Sequence, residues 1–517
     1  MTTYQANNKR IAKNTMFLYI RMFFVLLANL YISRILLDTL GVVDYGIYMV
    51  VAGLVSLFGF FNTTLASTLQ RYYNYEGTHK REQGIQDIFA TGCIINLLVA
   101  VLTFVLLESV GLWYLNHYLV VPADRIEAAT ILFHASTLSL VLIILQIPAT
   151  GLILAKERMR FYAAGSMIDI SLKVAAAMAL PYIGGEHISV YAYFLLGIAI
   201  FDFLLYHGYA KMSFRYIHLS RKINWQTARS LLAFTGWNMM GTLAFMLRGQ
   251  GISLLLNNFF GPIVNAARGI SMQVSSAVGQ FSSNVSIAFA PQISNSVAAQ
   301  DNRRAQYLMF TESKICYALM LILATPLCLE IDYILNLWLG HHIPSNTNIF
   351  CVLMLFDALI CTLNTPCTQI TLATGKIKLY EIVSTTINLC LIPVCYIFLK
   401  IGYGAVSSFV ITIVFSIILQ TACLIITHQQ FNFKYVKYFK EVLFPCFAMT
   451  LLLPVIPTLV KINMHTSFLR LSVVCVIALL TCIPMVYCIL LNQKEKILAK
   501  TFVLKLIQRN QNNCMNL

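Results

Sequence analysis

The sequence predicts an all-α integral membrane protein with about fourteen transmembrane helices. Its 517 residues are 59% hydrophobic and only 11% charged, whereas about 25% of the residues in a soluble domain are charged. The mean hydropathy of +0.75 is correspondingly high. A membrane-spanning helix needs about 20 mostly apolar residues, and such segments follow one another along the chain. A duplicated sequence unit and a one-sided distribution of basic residues support the same fold class.

The predicted spans are separated by short polar connections. They cover residues 15–37, 46–68, 87–109, 129–153, 162–182, 188–209, 230–256, 266–290, 310–339, 348–372, 380–399, 404–427, 441–460 and 468–491. The longest predicted outer loop, residues 110–128, is too short to fold as a domain. An enzyme that polymerises or ligates glycans at the outer surface would need a larger loop there, so we expect no catalytic activity.

Two stretches of the chain, residues 148–162 and 366–380, align without a gap. The identical positions are Pro148/Pro366, Thr150/Thr368, Leu154/Leu372, Ala155/Ala373 and Tyr162/Tyr380. Residues 37–41 resemble residues 256–261 at a similar offset. A duplicated unit inside a very apolar chain is typical of transporters, whose substrate site lies between the two copies.

The repeat divides the predicted spans into two sets of six, followed by two more. We therefore predict an N-terminal lobe of residues 1–215 and a C-terminal lobe of residues 216–430. Residues 431–517 would form two additional spans and a basic cytoplasmic tail. Because each copy holds an even number of spans, both copies have the same orientation in the membrane.

Basic residues mark one side of the membrane. Of the 36 Lys and Arg residues, 27 lie in the loops on the amino-terminal side, and Lys314 at the start of the ninth span is counted with them. The opposite loops hold only Arg125, Lys400, Lys461 and Arg470. By the positive-inside rule, both termini are cytoplasmic. The basic residues are scattered between apolar segments, which argues against nucleic acid as a partner.

Five basic residues fall inside predicted spans. They are Arg21, Arg34, Lys173, Arg248 and Arg268. A charge at mid-membrane costs about 2.5–3.5 kcal/mol, so such a residue usually faces a wet cavity or a partner. For Lys173 the predicted partner is Asp169, which lies one helical turn before it. Arg34 lies toward the outer end of the first span, where it either snorkels to the interface or joins a cavity.

The other three arginines have no acidic residue within one turn of their own helices. Two interpretations stay open for Arg21, Arg248 and Arg268. They line a cationic cavity, or they pair with Asp202 or Asp357 of other helices. The candidates for charge balance or ion coupling are therefore Asp169, Lys173, Asp202 and Asp357.

The eighth span favours the cavity. After Arg268, serines recur at helical spacing with amides beside them. The candidate lining residues are Ser275, Gln280 and Asn284, together with Asn62 in the second span. Small residues at this spacing are also typical of close helix packing, which is our interpretation for the second span. Amides and an arginine would be poor neighbours for lipid, so we expect the eighth span to face a cavity.

Neither a cofactor nor a metal ion is expected. The 14 cysteines include no CxxC pair, and most lie in apolar segments, where Cys behaves as a small hydrophobic residue. The chain shows no nucleophile motif, no glycine-rich phosphate loop and no nucleotide-binding signature. A non-enzymatic transporter without an ATP site is therefore predicted.

The two six-span copies, the pattern Leu-Gly-x-x-x-Tyr-Gly at residues 40–46 and the later residues 261–267 resemble the polysaccharide exporter branch of the multidrug/oligosaccharidyl-lipid/polysaccharide superfamily. The nearest resemblance is to the Wzx-type O-antigen or capsule flippases of bacteria. It implies an inner-membrane flippase that moves undecaprenyl-pyrophosphate-linked oligosaccharide to the periplasmic leaflet, with V-shaped lobes around a cationic cavity. The implied partners are this lipid-linked oligosaccharide, the bilayer and other membrane proteins of polysaccharide assembly.

The charge of the first span helps to weigh the alternatives within this superfamily. Drug exporters resemble proteins with an acidic residue there, whereas this chain has Arg21 and Arg34, with Asp38 at the outer end. A positive cavity attracts an anion, and the planar fork of arginine suits a pyrophosphate. We therefore predict that Arg21, Arg34, Arg248 and Arg268 bind the pyrophosphate. A cation-coupled multidrug exporter remains an alternative, and so does a lipid II flippase, because the two additional spans are similar to those of lipid II flippases.

Overall fold

The computed structural model describes residues 3–59, 82–156, 158–214, 225–340, 342–375, 377–431 and 433–491, with residue 496 and isolated residues between 61 and 73. Every regular element in these ranges is helical, which confirms the predicted all-α class. The physical reason is that backbone polar groups inside a bilayer must be satisfied within their own segment, as an α-helix does.

Seven long helices form the first half of the chain. They are α1 (Thr3–Ser56), α2 (Glu82–Leu106), α3 (Ile126–Ala155), α4 (Met159–Ala179), α5 (His187–Ser213), α6 (Trp225–Phe260) and α7 (Pro262–Ala298). After α2, a π-helical turn at Leu107–Gly111 leads into a further helical segment, Leu112–His117. The third span therefore extends into the predicted outer loop, because the apolar run continues through this segment.

The described residues of the second half include eight longer helices, and a short helix at Tyr435–Tyr438 precedes α13. The eight longer helices are α8 (Asn302–Leu329), α9 (Ile331–Leu339), α10 (Thr347–Thr374), α11 (Lys378–Lys400), α12 (Val406–Phe431), α13 (Phe444–Leu452), α14 (Val455–Asn463) and α15 (Phe468–Met485). The ninth predicted span is divided at Glu330 between α8 and α9. Lys314, which the sequence placed with the loops, lies inside α8 and is 1% exposed. That placement was wrong because α8 begins well before the predicted span.

Within the described residues, eleven stretches are long and apolar enough to cross a membrane. The first of them, Ile20–Gln70, is 51 residues long and covers the first two predicted spans. The more polar helices α6 and α7 coincide with the seventh and eighth predicted spans. Each of the fourteen predicted spans therefore coincides with helical structure.

Two glycines with a left-handed backbone stand at corresponding places of the repeat. Gly41 bends α1 with φ of 75° and ψ of 173°, and Gly261 separates α6 from α7 with φ of 78°. Glycine adopts this conformation readily because it has no Cβ. The similarity of residues 37–41 to residues 256–261 therefore reflects a duplicated turn.

The rest of the motif at residues 40–46 has a packing explanation. A Cβ atom at Gly46 would lie 2.1 Å from the carbonyl oxygen of Pro262, so only glycine allows α1 to approach the start of α7 this closely. Tyr45 is fully buried, and its hydroxyl accepts a 3.3 Å hydrogen bond from Nε2 of Gln273. The hydroxyl of Ser33 donates to Oε1 of the same glutamine at 2.7 Å.

The chain forms two compact units. The first comprises Met1–Gln273, Trp338–Thr347 and Thr385–Ser408, and the second comprises Val274–Leu337, Asn348–Ser384 and Phe409–Leu517. In the first unit, α3 packs along α2 and α5, and α1 packs along α4. The predicted lobes of residues 1–215 and 216–430 stay a prediction.

In the second unit, the appended helices α13, α14 and α15 contact α8 and the residue that follows it. The hydroxyls of Tyr317 and Thr450 lie 2.7 Å apart, and the ammonium group of Lys461 donates to the carbonyl of Leu329. Arg470, which the sequence placed with the outer loops, lies near the start of α15. Its Nη2 atom is 2.6 Å from Oε2 of Glu330, and the two side chains are only 9% and 1% exposed. Helices α13 to α15 are thus an integral part of the second unit.

Candidate functional site

Two of the four predicted pyrophosphate ligands are deeply buried in the first unit. Arg248 on α6 is 6% exposed, and Arg268 near the start of α7 is 4% exposed. Both guanidinium groups stay charged in this setting, because arginine does not lose its proton in proteins. The structure thus places two permanent positive charges inside predicted spans, where each must be held by hydrogen bonds.

The guanidinium group of Arg268 is fixed against one face of α6. Its Nε atom donates to the hydroxyl of Ser253 at 2.8 Å, and its Nη2 atom donates to the carbonyl oxygen of Gly249 at 2.8 Å. Gly249 and Ser253 are four residues apart and therefore lie on the same side of the helix. These two bonds set the direction in which the planar guanidinium group points.

The second buried arginine reaches α11. Nη1 of Arg248 donates to Oδ1 of Asn388 at 3.3 Å, and Asn388 is itself only 3% exposed. About two turns further along α11, the thiol of Cys395 lies close enough to both Arg248 and Arg268 to interact with them electrostatically. Helices α6, α7 and α11 therefore bring the two guanidinium groups into one neighbourhood. Like charges so placed create a positive potential that attracts an anion.

Arg21 occupies a different environment on α1. Its guanidinium carbon lies 4.7 Å from the ring centre of Tyr162 on α4, a cation–π contact. The Nε atom of Arg21 has no hydrogen-bond acceptor among the described residues, and the described part of the chain shows no ion pair for this side chain. Arg34, further along α1, is exposed.

A small cluster of charged side chains joins α4 and α5 in the first unit. Nζ of Lys173 is 2.7 Å from one carboxylate oxygen of Asp169 and 3.0 Å from the other, as the spacing of four residues predicted. Asp202 on α5 lies beside Asp169, and its Oδ1 atom has no hydrogen-bond partner in the described residues. Two carboxyl groups and one ammonium group therefore share this place.

The other acidic candidate, Asp357 on α10, lies in the second unit. One of its oxygens accepts a short hydrogen bond from the hydroxyl of Ser416 on α12. The contacts given above for Arg248 and Arg268 are to Asn388, Ser253 and Gly249, which are neutral groups. Pairing of the arginines with Asp202 or Asp357 stays a prediction.

The polar stripe of the eighth span resolves into two faces of α7. The serines face other helices: Ser275 donates to the carbonyl of Met354 at 3.3 Å, and Ser282 donates to that of Cys316 at 3.4 Å. The amides Gln280 and Asn284 are half-buried. The serine row thus serves close helix packing, and only the amide row keeps the character of a cavity lining. The fourth candidate lining residue, Asn62, lies outside the described residues.

Sequence reasoning missed two polar residues that the structure makes prominent. Asn388 holds Arg248, and a lone amide inside an apolar span was the available signal. Glu312 on α8 is completely buried, and an acidic residue just inside the ninth span was the corresponding signal. As for metal ions, the described residues contain no group of three or more His, Cys, Asp or Glu side chains that could hold one.

The sequence matches no protein-family model and no curated protein, but the structure matches solved structures. The lipid II flippase MurJ, in an inward closed conformation, is similar over 91% of this chain and 98% of its own chain, with a TM-score of 0.69 and 14% identity. A multidrug resistance MATE family transporter of the MOP superfamily is similar in its inward-facing conformation over 81% and 98%, with a TM-score of 0.64 and 12% identity. An outward-facing structure of a multidrug resistance MATE family transporter of the MOP superfamily gives a TM-score of 0.56 over 81% and 96%, at 12% identity. The chain therefore has the fold shared by MATE transporters and the MurJ flippase.

Proposed function

We propose that this protein is a flippase of the bacterial inner membrane that transfers undecaprenyl-pyrophosphate-linked oligosaccharide from the cytoplasmic to the periplasmic leaflet. The surface polysaccharides that such a substrate supplies are O-antigen or capsule. The shared fold with a flippase and with exporters supports a transport function. The charge of the buried side chains supports an anionic substrate.

One observation carries the choice of substrate: the guanidinium groups of Arg248 and Arg268 are both buried within predicted spans, and hydrogen bonds orient them. A pyrophosphate offers several acceptor oxygens, and charge-assisted bonds from a guanidinium group are about twice as strong as neutral ones. In a site of low dielectric constant, such attraction is much stronger than in water. The same charges would repel a cationic drug.

The proposed mechanism is alternating access by the two lobes of the repeat, residues 1–215 and 216–430. Similar MATE transporters are known in inward-facing and outward-facing conformations, which supports this mechanism. An anionic headgroup that moves outward from a negative interior gains about 2.3 kcal/mol per charge per 100 mV. The membrane potential would therefore assist export.

Arg21 and Arg34 complete the proposed binding residues on α1. The contact of Arg21 with Tyr162 stabilises the guanidinium group and leaves its Nε atom without an acceptor. A phosphate oxygen would supply that acceptor. Arg34 is exposed, and we assign to it a role in attracting the headgroup rather than in holding it.

A lipid II flippase is the second candidate function. MurJ is similar over 91% of this chain, which is more than the 81% of the MATE transporter. This wider coverage favours lipid II over a drug. Complementation separates the candidates: cells depleted of their own lipid II flippase would survive on this protein only if it moves lipid II.

The proposed function is tested in cells whose surface glycan depends on this protein. Arg248→Ala and Arg268→Ala should each lower glycan export by at least about tenfold, because each variant loses charge-assisted bonds of about 1.5–3 kcal/mol. Lys at either position should restore export partly, since it keeps the charge without the planar fork. Arg303→Ala, which removes an exposed arginine at the start of α8, is the matched control.

Membrane abundance is measured in the same cells. Normal export by Arg248→Ala and Arg268→Ala would contradict the proposed binding role. A fall in export that only follows a fall in abundance would mean that the two arginines serve the fold.

A further inference from the structure

The side chain of Glu312 in the second unit is an unusual acidic group. It is 0% exposed, and both of its carboxylate oxygens lack a hydrogen-bond partner among the described residues. Burial of an ionised carboxylate without donors is very unfavourable, so such a group is expected to hold a proton instead. Nothing in the proposed substrate site uses this residue.

Glu312 lies within the candidate membrane span Asn302–Leu329. It follows Asn302, the first residue of α8, by ten residues, which corresponds to about 15 Å along a helix. The hydrocarbon core of a bilayer is about 30 Å thick. The carboxyl group therefore lies inside a candidate membrane span, where acidic residues usually mark paths for protons or ions.

The surroundings of this carboxyl group are polar but uncharged. On α7, the hydroxyl of Ser286 lies close to it and also 3.5 Å from the thiol of Cys316. On α10, Nε2 of Gln369 donates to the backbone carbonyl of Ser286 at 3.1 Å. The titratable group that faces Glu312 is thus Cys316, one turn along α8, and neither α7 nor α10 is seen to bring a charged group to it.

The neighbouring charged and titratable side chains of α8 belong to another face. Lys314, two residues on, lies beside Cys446 of α13, and residues two apart on a helix do not face each other. Tyr317 bonds to Thr450 of the same helix α13. Lys314 and Tyr317 therefore lie toward the appended helices, and among the described residues no side chain forms a hydrogen bond or ion pair with the carboxylate of Glu312.

We propose that Glu312 is a proton-binding site of the second unit and that proton binding there is coupled to transport. The coupling part rests on the proposed function, whereas the proton site does not. In the packed arrangement described here, Glu312 carries a proton. Its release requires a rearrangement that brings water or a donor to the carboxylate.

Coupling follows from thermodynamic linkage. If the buried arrangement binds the proton more tightly than a hydrated arrangement does, proton binding favours the buried arrangement by the same free energy. A transporter that alternates between two such arrangements would take up the proton in one of them and release it in the other. The gradient of protons across the membrane would then bias the direction of the cycle.

The proton site is tested by infrared spectroscopy of the purified full-length protein in lipid nanodiscs. The wild-type protein should show the absorption of a protonated carboxyl group at neutral pH, and Glu312→Gln should lose that part of the signal. Glu127→Gln, which removes an exposed carboxyl group, should keep it. An unchanged spectrum in Glu312→Gln would overturn the proposal, and so would loss of the wild-type signal when sodium chloride is added.

A stability measurement covers the case in which the spectrum changes because the variant does not fold. The melting temperature of the wild-type protein should fall as the pH rises, because the buried carboxyl group must then ionise on its own, whereas that of Glu312→Gln should fall less. A second variant, Glu312→Met, should behave like Glu312→Gln. Equal pH dependence in all three proteins would contradict the proton site.

The coupling is tested in vesicles that hold the purified protein and a labelled lipid-pyrophosphate oligosaccharide. An imposed pH gradient should change the wild-type transfer rate several-fold and leave that of Glu312→Gln unchanged. An equal response of both proteins would overturn the coupling. If the wild-type protein moves no oligosaccharide, the proposed function fails, and the infrared result alone still decides the proton site.

Discussion

The two copies of the repeat share a backbone turn but use their tyrosines differently. Gly41 and Gly261 both have a positive φ, of 75° and 78°. In the first copy, the ring of Tyr162 lies 4.7 Å from the guanidinium carbon of Arg21. In the second copy, the hydroxyl of the equivalent Tyr380 lies 2.9 Å from that of Thr368. The duplication therefore preserved geometry, while the chemistry of the side chains diverged.

Charged groups show the same divergence. In the first copy, Lys173 and Asp169 form a partly exposed ion pair within α4, and Arg125 pairs with Asp44, whose side chain is only 10% exposed. The second copy holds Arg248 and Arg268 with hydrogen bonds and buries Glu312, whose carboxylate oxygens have no hydrogen-bond partner among the described residues. Buried charges are unfavourable and are found mainly where function requires them. The two copies therefore differ in how their charged groups are held.

The largest loss of stability is expected from the ion pair that anchors the appended helices to the second copy. Arg470→Ala leaves Glu330 buried without its cation, and loss of one partner of a buried pair costs about 3–5 kcal/mol. The measurement is the thermal unfolding of the protein in detergent. Replacement of both residues by Met should restore most of the stability, because no uncompensated charge then remains. Wild-type stability of Arg470→Ala would show that the pair does not anchor α15.

A smaller loss is expected from the close approach in the first copy. Gly46→Ala places a methyl group against the carbonyl oxygen of Pro262, and such overpacking costs about 1–3 kcal/mol. Ala266, the corresponding residue of the second copy, is fully buried and provides the matched control. Ala266→Gly should cost only about 0.5–1 kcal/mol through backbone entropy. Membrane abundance and melting temperature of the two variants test this order, and the reverse order would refute it.

The smallest effect is expected from the local pair of the first copy. Lys173→Ala removes the cation beside Asp169 and Asp202, but the two adjacent carboxyl groups can then share one proton. We expect a loss below about 1 kcal/mol, as for partly exposed pairs. Melting curves at neutral pH measure it. A collapse of abundance comparable to that of Arg470→Ala would mean that both copies depend on their ion pairs equally.

The sequence predicted those features that depend on composition and local spacing. The succession of apolar helices follows from apolar segment length, and the bond between Asp169 and Lys173 follows from helical periodicity. Each of these depends on residues close together in the chain or on a pattern repeated along it.

Contacts between helices that are distant in the sequence could not be predicted from composition or local spacing. Periodicity shows that Ser275 and Ser282 share a face of α7, but not that this face packs against α8 and α10. The same limit applies to Asn388, whose partner Arg248 is 140 residues away in the chain. Glu312 is a related case. That its carboxylate oxygens have no hydrogen-bond partner among the described residues depends on which side chains α7 and α10 place beside it.

The central claim is that the protein carries a lipid-linked pyrophosphate past the buried arginines of the second copy. The most direct measurement uses vesicles with labelled undecaprenyl-pyrophosphate oligosaccharide in the inner leaflet and a membrane-impermeant reagent outside. The account predicts that the wild-type protein exposes the label far faster than protein-free vesicles do, and that Arg268→Ala lowers this rate at least about tenfold, with Arg303→Ala at the wild-type rate. Transfer by the wild-type protein no faster than in protein-free vesicles, or undiminished transfer by Arg268→Ala, would contradict it.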